Sequence, residues 1–165
     1  MRVIGIDPGT LNMGYGIIEE RSGNITMAGC GVISVPQKMP MEQRLYGLYT
    51  ELLRIIAEFQ PEEAAIEEPF VAGNVRSALA IGRAQAVAIL AAAQADLPIF
   101  RYMPTQVKQM VTSYGRSSKD QVKQVVKLQL GVTDLPEASD AADALAVAIC
   151  HLNQRHLNEV LNRGY

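Results

Sequence analysis

Four carboxylates stand where acid side chains can do chemistry. Asp7 follows the apolar run Val3 to Ile6 and precedes the turn pair Pro8-Gly9. Glu67 closes a second short apolar run that begins at Glu63. Asp140 and Asp143 stand three apart in Ser139-Asp140-Ala141-Ala142-Asp143-Ala144-Leu145, a spacing that puts both on one face of a helix. Ionised carboxylates without a local cation repel one another, and they become favourable when they share a hard divalent ion such as Mg²⁺. Two such ions about 4 Å apart activate a water and stabilise the leaving oxygen of a phosphodiester. Plainer roles compete for two of the four. Asp7 can hydrogen-bond the turn that follows it, and Asp140 suits the first turn of a helix through the macrodipole. Asp143 is harder to dismiss, because it interrupts the otherwise apolar stretch from Ala141 to Cys150, and a buried unpaired carboxylate is costly. Something cationic should compensate it, and with no Lys or Arg in that helix before Arg155 a divalent metal is a reasonable candidate.

The elements that must position these acids are legible from pattern. Val3 to Ile6 reads as a central strand buried on both faces, Gly14 to Glu19 as a second strand, and Ile25 to Val35 as a third, joined through the turn at Glu20 to Asn24. Met41 to Gln60 is an amphipathic helix closed by Pro61. Glu63 to Glu67 follows as a strand parallel to the first, by a right-handed crossover. Open α/β sheets place ligands at the carboxyl ends of such strands. Asn74 is a candidate N-cap for a long helix to Ala95 that is rich in small residues, which permit close helix approach. Pro98 to Met103 is the fifth strand, Pro104 opens a short helix carrying Lys108, and Ser118-Lys119-Asp120-Gln121 is a capping box opening another. Gly131 ends that helix, and Ser139 starts the last one. The expected fold class is α/β, a five-stranded mixed sheet with helices on both faces, in one domain over 1–165 with 153–165 as its end or tail.

Composition narrows the function. The 165 residues are 48% hydrophobic and 19% charged, a globular balance. Cys30 and Cys150 form neither a metal motif nor a disulfide framework, which fits a reducing cytoplasm. No signal peptide is expected, because Asp7 interrupts before an apolar region can form. The run Ala84 to Ala95 is too short to span a bilayer, so no membrane partner is expected. The net charge of −2 hides a strong asymmetry. Arg101, Lys108, Arg116, Lys119, Lys123 and Lys127 face only Asp120 between 101 and 130, whereas the next twenty residues carry four acids and no Lys or Arg. A basic surface beside an acidic pocket suits a metal-dependent enzyme acting on a polyanion, although lysines on a solvated helix face would give the same count.

Four blocks together resemble the RuvC family of bacterial Holliday-junction resolvases. They are Gly5-Ile6-Asp7-Pro8-Gly9-Thr10 with Gly14-Tyr15-Gly16, Ala65-Ile66-Glu67-Glu68-Pro69-Phe70, Pro104-Thr105-Gln106-Val107-Lys108-Gln109, and Asp140-Ala141-Ala142-Asp143-Ala144-Leu145-Ala146. The resemblance runs from Arg2 to about His151. It implies a ribonuclease H-like fold, a homodimer working with a branch-migration helicase complex, and symmetrical paired nicking of four-way DNA junctions in recombination and repair. It also implies dependence on Mg²⁺, two ions per site, with Mn²⁺ able to substitute. The family's catalytic and metal-binding acids fall on Asp7, Glu67, Asp140 and Asp143. Its aromatic wedge falls on Phe70, its phosphate-contacting lysines on Lys108 and Lys119, and a DNA-facing region on Asn74 and Arg76, with Arg116 in the basic loop beside Lys119.

Two alternatives remain open at this stage. Asp7-Pro8-Gly9-Thr10 also resembles the phosphate loop of actin-like phosphotransferases, which need a second lobe for which 165 residues leave no room. A junction-binding module without catalysis would share the basic segment and lack cleavage.

Overall fold

The computed structural model describes residues 1–68 and 75–162. Five strands form one mixed sheet in the order β3-β2-β1-β4-β5. They are β1 (Arg2–Asp7), β2 (Asn12–Arg21), β3 (Asn24–Ser34), β4 (Glu63–Glu67) and β5 (Ile99–Tyr102). The first three are an antiparallel meander, and β4 and β5 add parallel to β1.

The strands run a residue or two beyond the expected limits at several ends, because ladder pairing carries polar residues that the apolar pattern does not mark. Asp7 itself pairs with Gly14, and Asn12 with Ser34. The β2–β3 hairpin turns on Ser22 and Gly23, both at positive φ (52° and 81°). That is the tight two-residue turn whose twist matches the strands. Its register shifts by one residue between Ile17 and Ile18, leaving Ala28 as the extra residue of a bulge.

Strand alternation divides the core into two. Ile4, Ile6, Met13, Ile17, Ala64 and Ile66 face α1 (Met41–Phe59) and α2 (Val75–Gln94). Val3, Ile18 and Ala65 face α3 (Pro104–Thr112), α4 (Lys119–Leu130) and α5 (Ser139–Asn162). Asp7 shares the second face, being two residues on from Gly5 and four from Val3.

The helix limits follow local chemistry. Gln60 ends α1 in the left-handed conformation and donates its N–H to Ile56 O at 2.8 Å. Ser118 caps α4: its Oγ accepts from Gln121 N at 3.2 Å, and the Gln121 side chain accepts from Ser118 N at 2.8 Å. Asn74, the expected cap of α2, lies outside the described residues. The run Ala84 to Ala95 begins inside α2 and ends one residue past it, and by length and composition alone Arg76–Gln94 is long and apolar enough to cross a bilayer. One face of it, Ala84, Val87, Ala88, Ala91 and Ala92, is buried in the core.

α5 lies on the sheet so closely that side chains would obstruct it. A Cβ on Gly5 would sit 2.0 Å from Ala144 O, and one on Gly14 would sit 2.0 Å from Asp140 O. Neither contact can be relieved without moving α5, because the obstructing atoms are backbone. Gly14→Ala is therefore expected to lower stability by about 2 kcal/mol or more, as overpacking does, read as a lower urea midpoint at unchanged slope.

Candidate active site

The parallel register of β1 and β4 pairs Ile6 with Ile66, so Asp7 and Glu67 emerge side by side at the carboxyl edge of the sheet. The close seat of α5 over Gly5 and Gly14 brings its first two turns to the same edge. Carboxylate oxygens of Asp7, Asp140 and Asp143 all lie within 4.8 Å of one another. Glu67 lies beside this group, close enough for its charge to raise the Asp7 carboxyl. All four carboxylates are half-buried.

This crowding has an electrostatic signature. The Asp7 carboxyl is pushed up to about 8, first by burial and then by the negative charges of Glu67, Asp143 and Asp140. Glu67 is raised by burial too, with Lys119 and Lys108 pulling the other way. Without a cation, burial and the neighbouring carboxylates therefore keep a proton on Asp7 at neutral pH.

A cleft of about 250 Å³ opens beside the acids. Glu67, Asp143, Lys108 and Lys119 line it, with Val107 and Val122 forming apolar wall. Lys119 Nζ lies 2.7 Å from Asp143 Oδ2. The cation expected to compensate Asp143 is thus present within the chain itself. It comes from the start of α4, where no helix-by-helix count would find it. The Lys119 ammonium is held above its usual range by this contact. Arg116 is exposed on the loop before α4, and Arg76 is exposed on the first turn of α2. Phe70 and Asn74 lie outside the described residues.

The donor set is all oxygen and anionic, drawn from two strand ends and one helix. That is the chemistry of a site for a hard cation, with no soft or nitrogen ligand in the cluster among the described residues.

One polar cluster on the same face was not foreseen. Glu63, at the opposite end of β4 from Glu67, meets His151 and Arg155 of α5, and Tyr102 of β5 completes the group. The signal was present in part: Glu63 and Glu67 are four apart on a strand and so share a face. Nothing local pairs Glu63 with a residue 88 positions away.

Comparison with known proteins agrees with this geometry. The profile of the family described as "Crossover junction endodeoxyribonuclease RuvC" matches residues 3–151. The relative of that name from Dehalococcoides mccartyi (strain BAV1) is 47% identical over 164 residues, covering 99% of this chain and 98% of the relative. The one from Chloroflexus aggregans is 48% identical over 151 residues, 92% of each chain. Among solved structures, the Thermus thermophilus RuvC in complex with Holliday junction substrate superposes with a TM-score of 0.90 at 30% identity, over 96% of both chains. The yeast mitochondrial resolvase Ydc2 shares the fold at a TM-score of 0.67 and 13% identity. The mixed sheet with helices on both faces is the expected ribonuclease H-like architecture. Because the match spans the sheet, the basic helices and the acid-bearing helix alike, the chain belongs to the RuvC family of crossover junction endodeoxyribonucleases.

Proposed function

We infer that the protein resolves four-way DNA junctions by paired symmetrical nicks, hydrolysing one phosphodiester in each of two strands. The observation that carries this reading is the meeting of four carboxylates, from β1, β4 and α5, at the mouth of a cleft walled by Lys108 and Lys119. A family match to endonucleases over nearly the whole chain does not favour the phosphotransferase or purely binding alternatives.

Asp7, Glu67, Asp140 and Asp143 are the groups proposed to hold Mg²⁺, two ions per site, with Mn²⁺ as a substitute. The chemistry a bound ion supplies is a more acidic water and neutralisation of charge on the phosphate and leaving oxygen. The chain's own groups do the rest. Asp140 either ligates or orients the attacking water. Lys119 sits at the N-terminus of α4, where free backbone N–H groups favour phosphate as well. Its contact with Asp143 keeps its ammonium charged and aimed at the cleft. Lys108 lines the same cleft, and the exposed Arg116 and Arg76 are proposed to meet DNA on the strength of the sequence alone. Phe70 and Asn74 are proposed to meet the junction on the strength of the sequence resemblance alone.

A junction has two strands to cut and each chain offers one site, so a homodimer is proposed. Leu79 and Leu90 on α2, 58% and 61% exposed, are apolar surface that such an assembly could cover. A branch-migration helicase partner and a cytoplasmic setting complete the reading.

The test is a labelled four-way junction incubated with purified protein and Mg²⁺. Paired nicks at symmetrical positions are expected, and linear duplex should be spared. Absence of nicks at any Mg²⁺ or Mn²⁺ concentration would defeat the reading. A second expectation concerns the lysines. Lys108→Ala should weaken junction binding and reduce the slope of log affinity against log salt by about 1. Gel-shift titrations at several salt concentrations measure it.

A further inference from the structure

We propose that His151, together with Tyr102 and Glu63, is a positioning group that sets how far along β4 the helix α5 sits, and thereby the spacing of Asp143 from Glu67 in the metal cluster. This inference rests on the metal-dependent reading above.

His151 is 3% exposed and Glu63 13%. Tyr102 Oη is 2.7 Å from His151 Nδ1, and His151 Nε2 is 2.5 Å from Glu63 Oε2. A carboxylate can only accept, so Nε2 carries the ring proton and donates it to Glu63. Nδ1 then accepts from the tyrosine hydroxyl. Arg155 takes the other oxygen of Glu63 at 2.5 Å, and the ring of Phe100 lies against the imidazole at 4.4 Å between centroids. Every polar atom of the imidazole and of the Glu63 carboxylate therefore has a directed partner. Burial holds the imidazole below its usual range, in keeping with a neutral ring.

The placement gives this cluster its consequence. Glu63 and Glu67 are the two ends of β4 and face α5, about 13 Å apart along a strand. His151 and Asp143 are eight residues apart on α5, about 12 Å along a helix. One end of this matched pair is the polar cluster, and the other is the metal cluster. Leu145 and the backbone of α5 seat over Gly5, Gly14 and Gly16 of β1 and β2, but the middle of β4 offers α5 only the small residue Ala65. Along β4 itself, therefore, apolar contact gives the helix little to grip, and apolar burial is not directional. Directed hydrogen bonds supply what that surface lacks. Among the described residues, α5 makes its polar side-chain contacts to β4 only through Glu63. β4 is the strand that ends in Glu67.

The experiment measures metal binding directly, without DNA. Mn²⁺ is titrated calorimetrically into the purified full chain and into three variants. His151→Phe keeps an aromatic ring, somewhat larger, against Phe100 but loses both hydrogen bonds. Tyr102→Phe loses one. Leu52→Val lies in the core on the other face of the sheet and serves as a control for lost stability. His151→Phe is expected to weaken Mn²⁺ binding by about tenfold, the scale seen when groups behind metal ligands are removed. Tyr102→Phe should weaken it by about twofold to threefold on the same reasoning. Leu52→Val should bind Mn²⁺ as the parent chain does, even with its melting temperature lowered. Junction affinity in chelator should stay within about twofold for all three, because the lysines are untouched. Equal Mn²⁺ affinity in parent, His151→Phe and Tyr102→Phe overturns the inference and leaves the function standing. Should His151→Phe fail to fold, Tyr102→Phe decides alone. Failure of the parent chain to bind Mn²⁺ at all would instead remove the metal reading, and this inference with it.

Discussion

Asp7→Asn should abolish junction cleavage, by roughly 10³-fold or more, while the variant still binds the junction. The floor is set by what loss of a single charge-stabilising group costs at other active sites, about 10²–10³ in rate. A lost metal ligand removes more, because it takes away charge neutralisation and water activation together. Asn keeps the shape of Asp and one hydrogen-bonding oxygen, so β1 and its ladder to Gly14 stay intact. Binding should be unchanged or slightly tighter, since one negative charge facing the DNA is gone. Single-turnover nicking and gel shift on the same preparation separate the two effects. Retained cleavage would place the chemistry elsewhere, and lost binding would make Asp7 a structural residue.

The same substitution should raise the stability of the metal-free protein at pH 8, and the cause fixes the sign. In the folded chain Asp7 keeps its proton to about 8, whereas in the unfolded chain it loses it near 3.8. Between those values the folded state binds a proton that the unfolded state does not. Stability is therefore fully present below the unfolded value and declines as pH rises through the window, by at most about 1.4 kcal/mol per unit. Glu67 is shifted in the same direction, and because the two carboxyls act on one another the slope belongs to the pair. Lys119 is raised from 10.5, so its contribution is not lost until above this window. Metal-free parent protein should thus melt at a lower temperature at pH 8 than at pH 5. Asp7→Asn should flatten the profile and raise the pH 8 melting temperature by about 5 °C, at 2–4 °C per kcal/mol for a chain of this size. Millimolar Mg²⁺ should close most of that gap by binding the folded state of the parent alone. A parent profile that is flat between pH 5 and pH 8, with no response to Mg²⁺, would count against a crowded cluster.

Both expectations depend on contacts between elements far apart in the chain, and so does the limit of what could be read without coordinates. The amphipathic stripe of α1, the capping box of Ser118 and Gln121, and the strand character of Val3 to Ile6 are written in neighbouring residues. They were legible because side-chain period and caps are local physics. The acids were legible as candidates for the same reason: each ends an apolar run, where a carboxylate needs explaining. The parallel pairing of β1 with β4 could also be expected, since crossover handedness leaves few choices.

What the chain order did not contain is which cation meets which acid. Lys119 comes to Asp143 from 24 residues away, and His151 to Glu63 from 88. Gly5 and Gly14 look permissive in the sequence, yet their role is to leave room for the backbone of α5. The sequence by itself determined most of the elements, the four acids as candidates, and the family. Only the tertiary structure decided that three of those acids come within 4.8 Å of one another with Glu67 beside Asp7, that a lysine pairs with Asp143, and that a buried histidine meets Glu63. The physical reason is that charge and hydrogen-bond pairing act through space at a few ångströms, and only chain closure brings such partners together.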